Sequence, residues 1–191
     1  MFFLVILRGK GCIPLDNCTK MNDHGNLIDE RPPFLPMLIG TGLGSGFWPW
    51  GSGTAGSIVA TAIWLVLGSV VGFDGLNLQL VTLALVIVCT GLGTWATARL
   101  QPYWGEDPSR VVIDEWVGVW IPLLALGAGD YAWALVALVL FRFFDMVKPL
   151  GIKVLDRRPG AFWVMGDDIL GGIYACVVLV LARWVYNMVV L

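Results

Sequence analysis

The chain has 191 residues, 58% of them hydrophobic and only 14% charged, with a net charge of −2 and a mean hydropathy of +0.79. This composition excludes a water-soluble globule and describes a polytopic membrane protein. The charge balance, with no basic stripe, excludes a nucleic-acid partner.

Residues 1–35 read as a polar N-terminal segment and 36–191 as a single membrane-embedded domain, with an all-α fold: a polytopic bundle of about five apolar helices. The opening apolar run, Met1 to Leu7, is too short to span a bilayer. Arg8 and Lys10 follow it, whereas a secretory signal carries its charge before the apolar core and a small-residue cleavage site after it. The expectation is that Met21 is the native start and that residues 1–20 are an upstream extension.

Two glycine-rich stretches come next, 40–46 and 51–57. Glycines exposing backbone amides before a helix can cradle a phosphate, with hydroxyls from Thr41, Ser45, Ser52 and Thr54 beside them. No Gly-Lys-Ser/Thr follows, so this is not a P-loop. The competing reading is close helix packing through Gly42 and Gly46.

Five apolar runs follow, at 57–72, 78–100, 111–126, 131–147 and 169–190, each far longer than a strand. The first, third and fourth are marginal against the ~17–25 residues a span requires, and the third and fourth also fit a re-entrant hairpin. Turn chemistry separates the runs at 72–75, 102–109 and 127–130.

With a cytoplasmic N-terminus, Arg31, Arg99, Arg110, Lys148, Lys153, Arg157 and Arg158 fall inside, and Arg183 is the exception. The same threading gathers Asp114, Glu115, Asp145, Asp156, Asp167 and Asp168 at the cytoplasmic face. Acids collected against one membrane face indicate a divalent-cation site.

Three motifs carry these acids. Asp114-Glu115 is followed one turn later by Gly118, where a missing side chain lets another helix approach. Arg142, Asp145 and Lys148 recur every three residues and share a helical face that ends at Pro149; the two cations suit a phosphate and the acid suits a metal. Asp167-Asp168-x-x-Gly171 repeats the first spacing, so two such helix starts can face each other across a metal. Asp156 reads equally as a solvated loop acid.

Absences narrow the chemistry. His24, the only histidine, lies in the N-terminal segment, and Cys12 to Cys18 lacks the arginine of a cysteine-phosphatase loop. Asp74-Gly75 does not continue into the Asp-Gly-x-x-Ala-Arg motif of lipid synthases. Metal-assisted chemistry on an anionic group at the lipid surface remains. The alternative, a small ion or proton-coupled transporter, needs acids spread through the membrane depth, whereas here the middles of the runs are bare.

The motifs resemble those of the phosphatidylglycerophosphatase A family: Gly-Thr-Gly-x-Gly-Ser-Gly at 40–46, Gly-Thr-x-Gly-Ser at 53–57, Val-Ile-Asp-Glu at 112–115, Phe-Arg-x-x-Asp-x-x-Lys-Pro at 141–149, Asp-Arg at 156–157 and Asp-Asp-Ile-x-x-Gly-Ile at 167–173. The chain departs at Ser52, where the family tends to have Pro, and at 160–165, where two glycines are lost. The resemblance implies Mg²⁺-dependent hydrolysis of phosphatidylglycerophosphate to phosphatidylglycerol and phosphate, at the cytoplasmic face of a bacterial inner membrane. Joined with the placement of the acids, it implies Asp114, Glu115, Asp145, Asp167 and Asp168 as metal ligands. Asp114, Glu115, Asp168, Arg142 and Lys148 become the catalytic candidates, with Glu115 or Asp168 as base. Thr41, Gly42, Ser45, Thr54 and Arg157 become the substrate-binding candidates.

Overall fold

A computed structural model describes residues 19–21, 27–29, 31–69, 72, 75–149, 151–156 and 158–190, with burial described from residue 31 onward. The expected extension at 1–20 falls almost wholly outside the described residues, as does Arg157. Among the described residues the only strands are β1 (Thr19–Met21) and β2 (Leu27–Asp29), paired antiparallel. The rest is helical: α1 (Phe34–Gly40), α2 (Ser52–Ser69), α3 (Gly75–Trp104), α4 (Ile113–Leu123), α5 (Tyr131–Val147), α6 (Ile152–Asp156) and α7 (Ala161–Val190).

Three helices, α2, α3 and α7, are long and apolar enough to cross a membrane. Exposed Ile87 on α3 and Leu181 and Trp184 on α7 present apolar surface outward, the arrangement expected where lipid rather than water is the neighbour. The shorter α4 and α5, of 11 and 17 residues, pack against these helices. The N-terminus of α2, the loop after α3, the start of α4, the end of α5 and the start of α7 meet at one end. Gln79, Asp130 and Arg183 meet at the other.

α4 is the axis of the bundle and packs against α2, α3, α5 and α7. Nine of its eleven residues are buried, so its apolar content serves protein contacts rather than lipid. Small residues admit its neighbours. A Cβ at Gly56 would stand 2.9 Å from Val112 Cβ, and one at Gly93 would stand 2.8 Å from Ile113 Cγ2. Where α4 meets α7, a Cβ at Gly172 would overlap the Gly118 carbonyl oxygen. This backbone-to-backbone contact lies one turn beyond Asp114 and Asp168 and brings these two acids together; it is made by Gly172 and not by the Gly171 of the repeated spacing, where a Cβ would meet nothing closer than 3.9 Å. Buried indoles fasten the rest: Trp120 Nε1 donates to Ala60 O at 2.9 Å, and Trp64 Nε1 donates to Thr82 Oγ1 at 3.1 Å.

Helix boundaries differ from the sequence expectation by four residues or more in three places. α2 begins at Ser52 rather than 57, because the glycines at 53 and 56 face α4 as part of the helix and Ser57 Oγ donates back to Gly53 O at 2.9 Å. α3 continues through Pro102 to Trp104, and Gly105, at φ 96, ends it. α7 begins at Ala161 rather than 169. Its buried stripe of Ala161, Met165, Asp168, Gly172, Ala175 and Leu179 keeps helical spacing from the first turn onward, so Asp167 and Asp168 sit inside the helix, not at its start.

Candidate active site

Each acid is delivered by a different local device. Asp114 and Glu115 occupy the first turn of α4, where the helix dipole favours negative charge, and Asp114 Oδ1 accepts the Glu115 N–H at 3.0 Å. Asp167 and Asp168 project from the second turn of α7 and are buried. Arg142 and Asp145 lie on the last turns of α5, joined by an ion pair of 2.6 Å between Nη1 and Oδ2. Lys148 caps α5 in the left-handed region, at φ 47, a conformation that costs a non-glycine residue energy and is held where the surroundings demand it. Its Nζ reaches Asp167 Oδ2 at 2.7 Å.

These seven side chains line one cavity of about 390 Å³. Gly51, Ser52 and Gly53 form one edge, Glu106 to Ser109 another, and Arg158 to Gly160 a third. Ser52 Oγ donates to Ser109 O at 2.6 Å, tying the first edge to the second. Gly53 is required for the close approach: a Cβ there would overlap Glu115 Oε1 and stand 3.0 Å from Arg142 Nη1.

Carboxylate oxygens of Asp114, Glu115 and Asp168 all lie within 4.8 Å of one another. At that separation each pair of negative charges repels by roughly 3 kcal/mol even at an effective dielectric of ~20. Three such groups, two of them buried, could hold a compensating cation. The donor set is all hard oxygen and suits a Mg²⁺- or Ca²⁺-class ion, and Glu115 Oε2 is buried with no hydrogen-bond partner. Asp145 and Asp167, also expected as ligands, lie outside this group of three and pair with Arg142 and Lys148. Arg142 keeps Nε and Nη1 buried without an aligned protein acceptor, so its pairing with Asp145 is a charge contact that leaves hydrogen-bonding capacity.

The expected phosphate cradle is placed elsewhere. Thr41 is buried, with Oγ1 donating to Met37 O at 2.7 Å and accepting the Gly44 N–H at 3.2 Å. Gly42, at φ 52, lies against the Trp116 indole, and Ser45 Oγ donates to Gly42 O at 2.9 Å. These bonds build a packing corner, in which a Cβ at Gly46 would overlap Arg110 O and Val112 N–H donates to Gly40 O at 2.8 Å. Thr54 is exposed on α2, outside the cavity lining. The residues at the cavity are the neighbouring Gly51, Ser52 and Gly53. Sequence reasoning also passed over Glu106, Asp107 and Arg158, whose only signal was charge in short loops.

Membrane-crossing helices that end on a buried acid cluster, with an Arg and a Lys facing the same cavity, define a membrane enzyme acting on an anionic group. The family model for phosphatidylglycerophosphatase A matches residues 38–183, and the chain belongs to that family; it is a phosphatase. A Bacteroides thetaiotaomicron protein provisionally named phosphatidylinositol-3-phosphatase is 50% identical over 158 residues, covering 82% of this chain and 98% of that one. Phosphatidylglycerophosphatase A of Haemophilus influenzae is 35% identical over 144 residues, covering 74% and 85% of the two chains. That of Escherichia coli is 33% identical over 145 residues, covering 74% and 80%. No solved structure matches the chain.

Proposed function

We infer that this protein removes the terminal phosphate of phosphatidylglycerophosphate, giving phosphatidylglycerol and inorganic phosphate for phospholipid synthesis, with Mg²⁺ held by Asp114, Glu115 and Asp168. The observation that carries this reading is the three-carboxylate cluster sharing one cavity with Arg142 and Lys148. Asp145 and Asp167 complete the acid shell, each holding a cation in place. The positive-inside count supports a site on the cytoplasmic side of a bacterial inner membrane.

Bound there, the ion would neutralise phosphate oxygens and polarise an attacking water. Arg142 and Lys148 bind the phosphoryl oxygens and stabilise the charge that gathers on them as the P–O bond breaks. Glu115 Oε2, buried and unpartnered, is the acceptor best placed for the water's proton, with Asp168 next to it. The acyl chains stay in the bilayer beside the apolar outer faces of the long helices, which is why a small phosphatase needs spans.

The relative named for phosphatidylinositol 3-phosphate supports a second reading of the substrate, a monoester on an inositol ring. Phosphate release from the two lipids, by chelator-treated protein in detergent with and without Mg²⁺, separates these readings. Magnesium-restored release that is faster from phosphatidylglycerophosphate, and lost in Asp114→Asn and Asp168→Asn while the protein stays folded, is the expected result. Retained turnover in both variants, or no dependence on a divalent ion, would overturn the assignment.

A further inference from the structure

The described cations lining the cavity are Arg142, Lys148 and Arg158. The first two pair with Asp145 and Asp167 beside the acid cluster. Arg158 pairs with no carboxylate among the described residues; its guanidinium lies over the Trp163 ring, 4.5 Å from the centroid. It sits in the connection between α6 and α7 and is exposed, with its backbone N–H donating to Leu155 O at 2.9 Å.

Stacking uses the flat face of a guanidinium and leaves its N–H edge unoccupied. An arginine held this way loses little freedom on binding an anion and offers two parallel donors that match a phosphate. Glu106 and Asp107, exposed in the lining of the same cavity, repel anions and accept hydroxyl groups. The exposed part of the lining therefore offers one anion-binding group and two hydroxyl acceptors, beside the buried acids where the monoester belongs.

We propose that Arg158, held on Trp163, binds a second phosphate of the substrate, the diester that joins the headgroup to the lipid. The inference rests on the phosphatidylglycerophosphate reading and adds the residue that distinguishes a phosphomonoester carried on a diester-linked headgroup from one attached directly to the lipid. Phosphatidic acid, whose monoester is attached directly to the glycerol lipid, has no diester for Arg158 to hold.

The test is steady-state phosphate release by wild type, Arg158→Gln, Arg158→Lys and Trp163→Leu in a phosphate-free detergent, with phosphatidylglycerophosphate and phosphatidic acid as substrates. Arg158→Gln should raise KM for phosphatidylglycerophosphate about tenfold at unchanged kcat, the size of one exposed charge-assisted contact, and leave phosphatidic acid unaffected. Arg158→Lys should recover only part of the loss, and Trp163→Leu should move KM in the same direction by less. An equal effect on both substrates, or none, overturns the proposal. An effect on both that emerges only when phosphatidylcholine is added identifies a neighbouring lipid as the source of the phosphate and overturns it too. Wild type inactive on both lipids would instead remove the phosphatidylglycerophosphate reading beneath it.

Discussion

Gly172→Ala tests the physical core of the site without touching a charged residue. The added methyl overlaps the Gly118 carbonyl oxygen and comes within 3.1 Å of its carbonyl carbon and of Ile121 Cδ1. The obstacle is mainly backbone, so no side-chain rotation relieves it. Restoring an ordinary carbon–oxygen contact moves α4 and α7 apart by about 1 Å. Overpacking of this kind costs about 1–3 kcal/mol of stability, which lowers the melting temperature by several degrees and leaves the protein folded. The catalytic effect is larger, because Asp114 and Asp168 lie one turn away on the separating helices and a misplacement of ~1 Å costs on the order of 100-fold in rate. The assay is phosphate release and thermal unfolding in detergent, beside Gly91→Ala as a control. A Cβ at Gly91 meets nothing within 4 Å, and alanine gains up to about 1 kcal/mol in helix propensity there. Gly172→Ala with wild-type turnover and melting temperature would refute the argument that the glycine contact sets the spacing of the acids.

Gly53→Ala should leave the melting temperature within a few degrees of wild type but lower kcat at least about tenfold, since the methyl displaces Glu115 Oε1 and Arg142 Nη1 and these flexible side chains can yield. At the far end, Arg183 grips Asp130 through contacts of 2.8 and 3.2 Å, and Asp130 also accepts the Gly127 N–H at 2.9 Å. A double-mutant cycle on Arg183→Ala and Asp130→Ala should give a coupling of about 1 kcal/mol in stability with turnover unchanged. Trp120→Phe removes the buried bond to Ala60 O and should cost about 1 kcal/mol, read as a fall of a few degrees in melting temperature with activity retained.

The helical class and the identity of the acidic residues were legible in the sequence because long apolar runs make any carboxylate conspicuous. α5, at Tyr131–Val147, matches the expected run from end to end: an Asp before it and a Pro after it mark the boundaries. The start of α7 was hidden, since Gly166-Asp167-Asp168 interrupts the apolar residues and reads as a boundary between Ala161 to Met165 and the long run from 169. The roles of the two glycine-rich stretches were hidden for a different reason. Glycine is used both for phosphate cradles and for close packing, and the two uses look alike until the neighbours are known. The corner at 40–46 proved to be packing against Trp116 and Arg110, whereas Gly53 reaches the cavity.

By itself, the sequence determined that the chain is a membrane-embedded helical protein with a group of acids gathered at one end, because hydropathy and charge are local properties read residue by residue. Only the tertiary structure decided which acids meet. Asp114, Glu115 and Asp168 converge because Gly118 and Gly172 let α4 and α7 touch backbone to backbone, while Asp145 and Asp167 are held by Arg142 and Lys148. Distances between residues on separate helices depend on packing, and packing is set by the side chains that are absent as much as by those that are present.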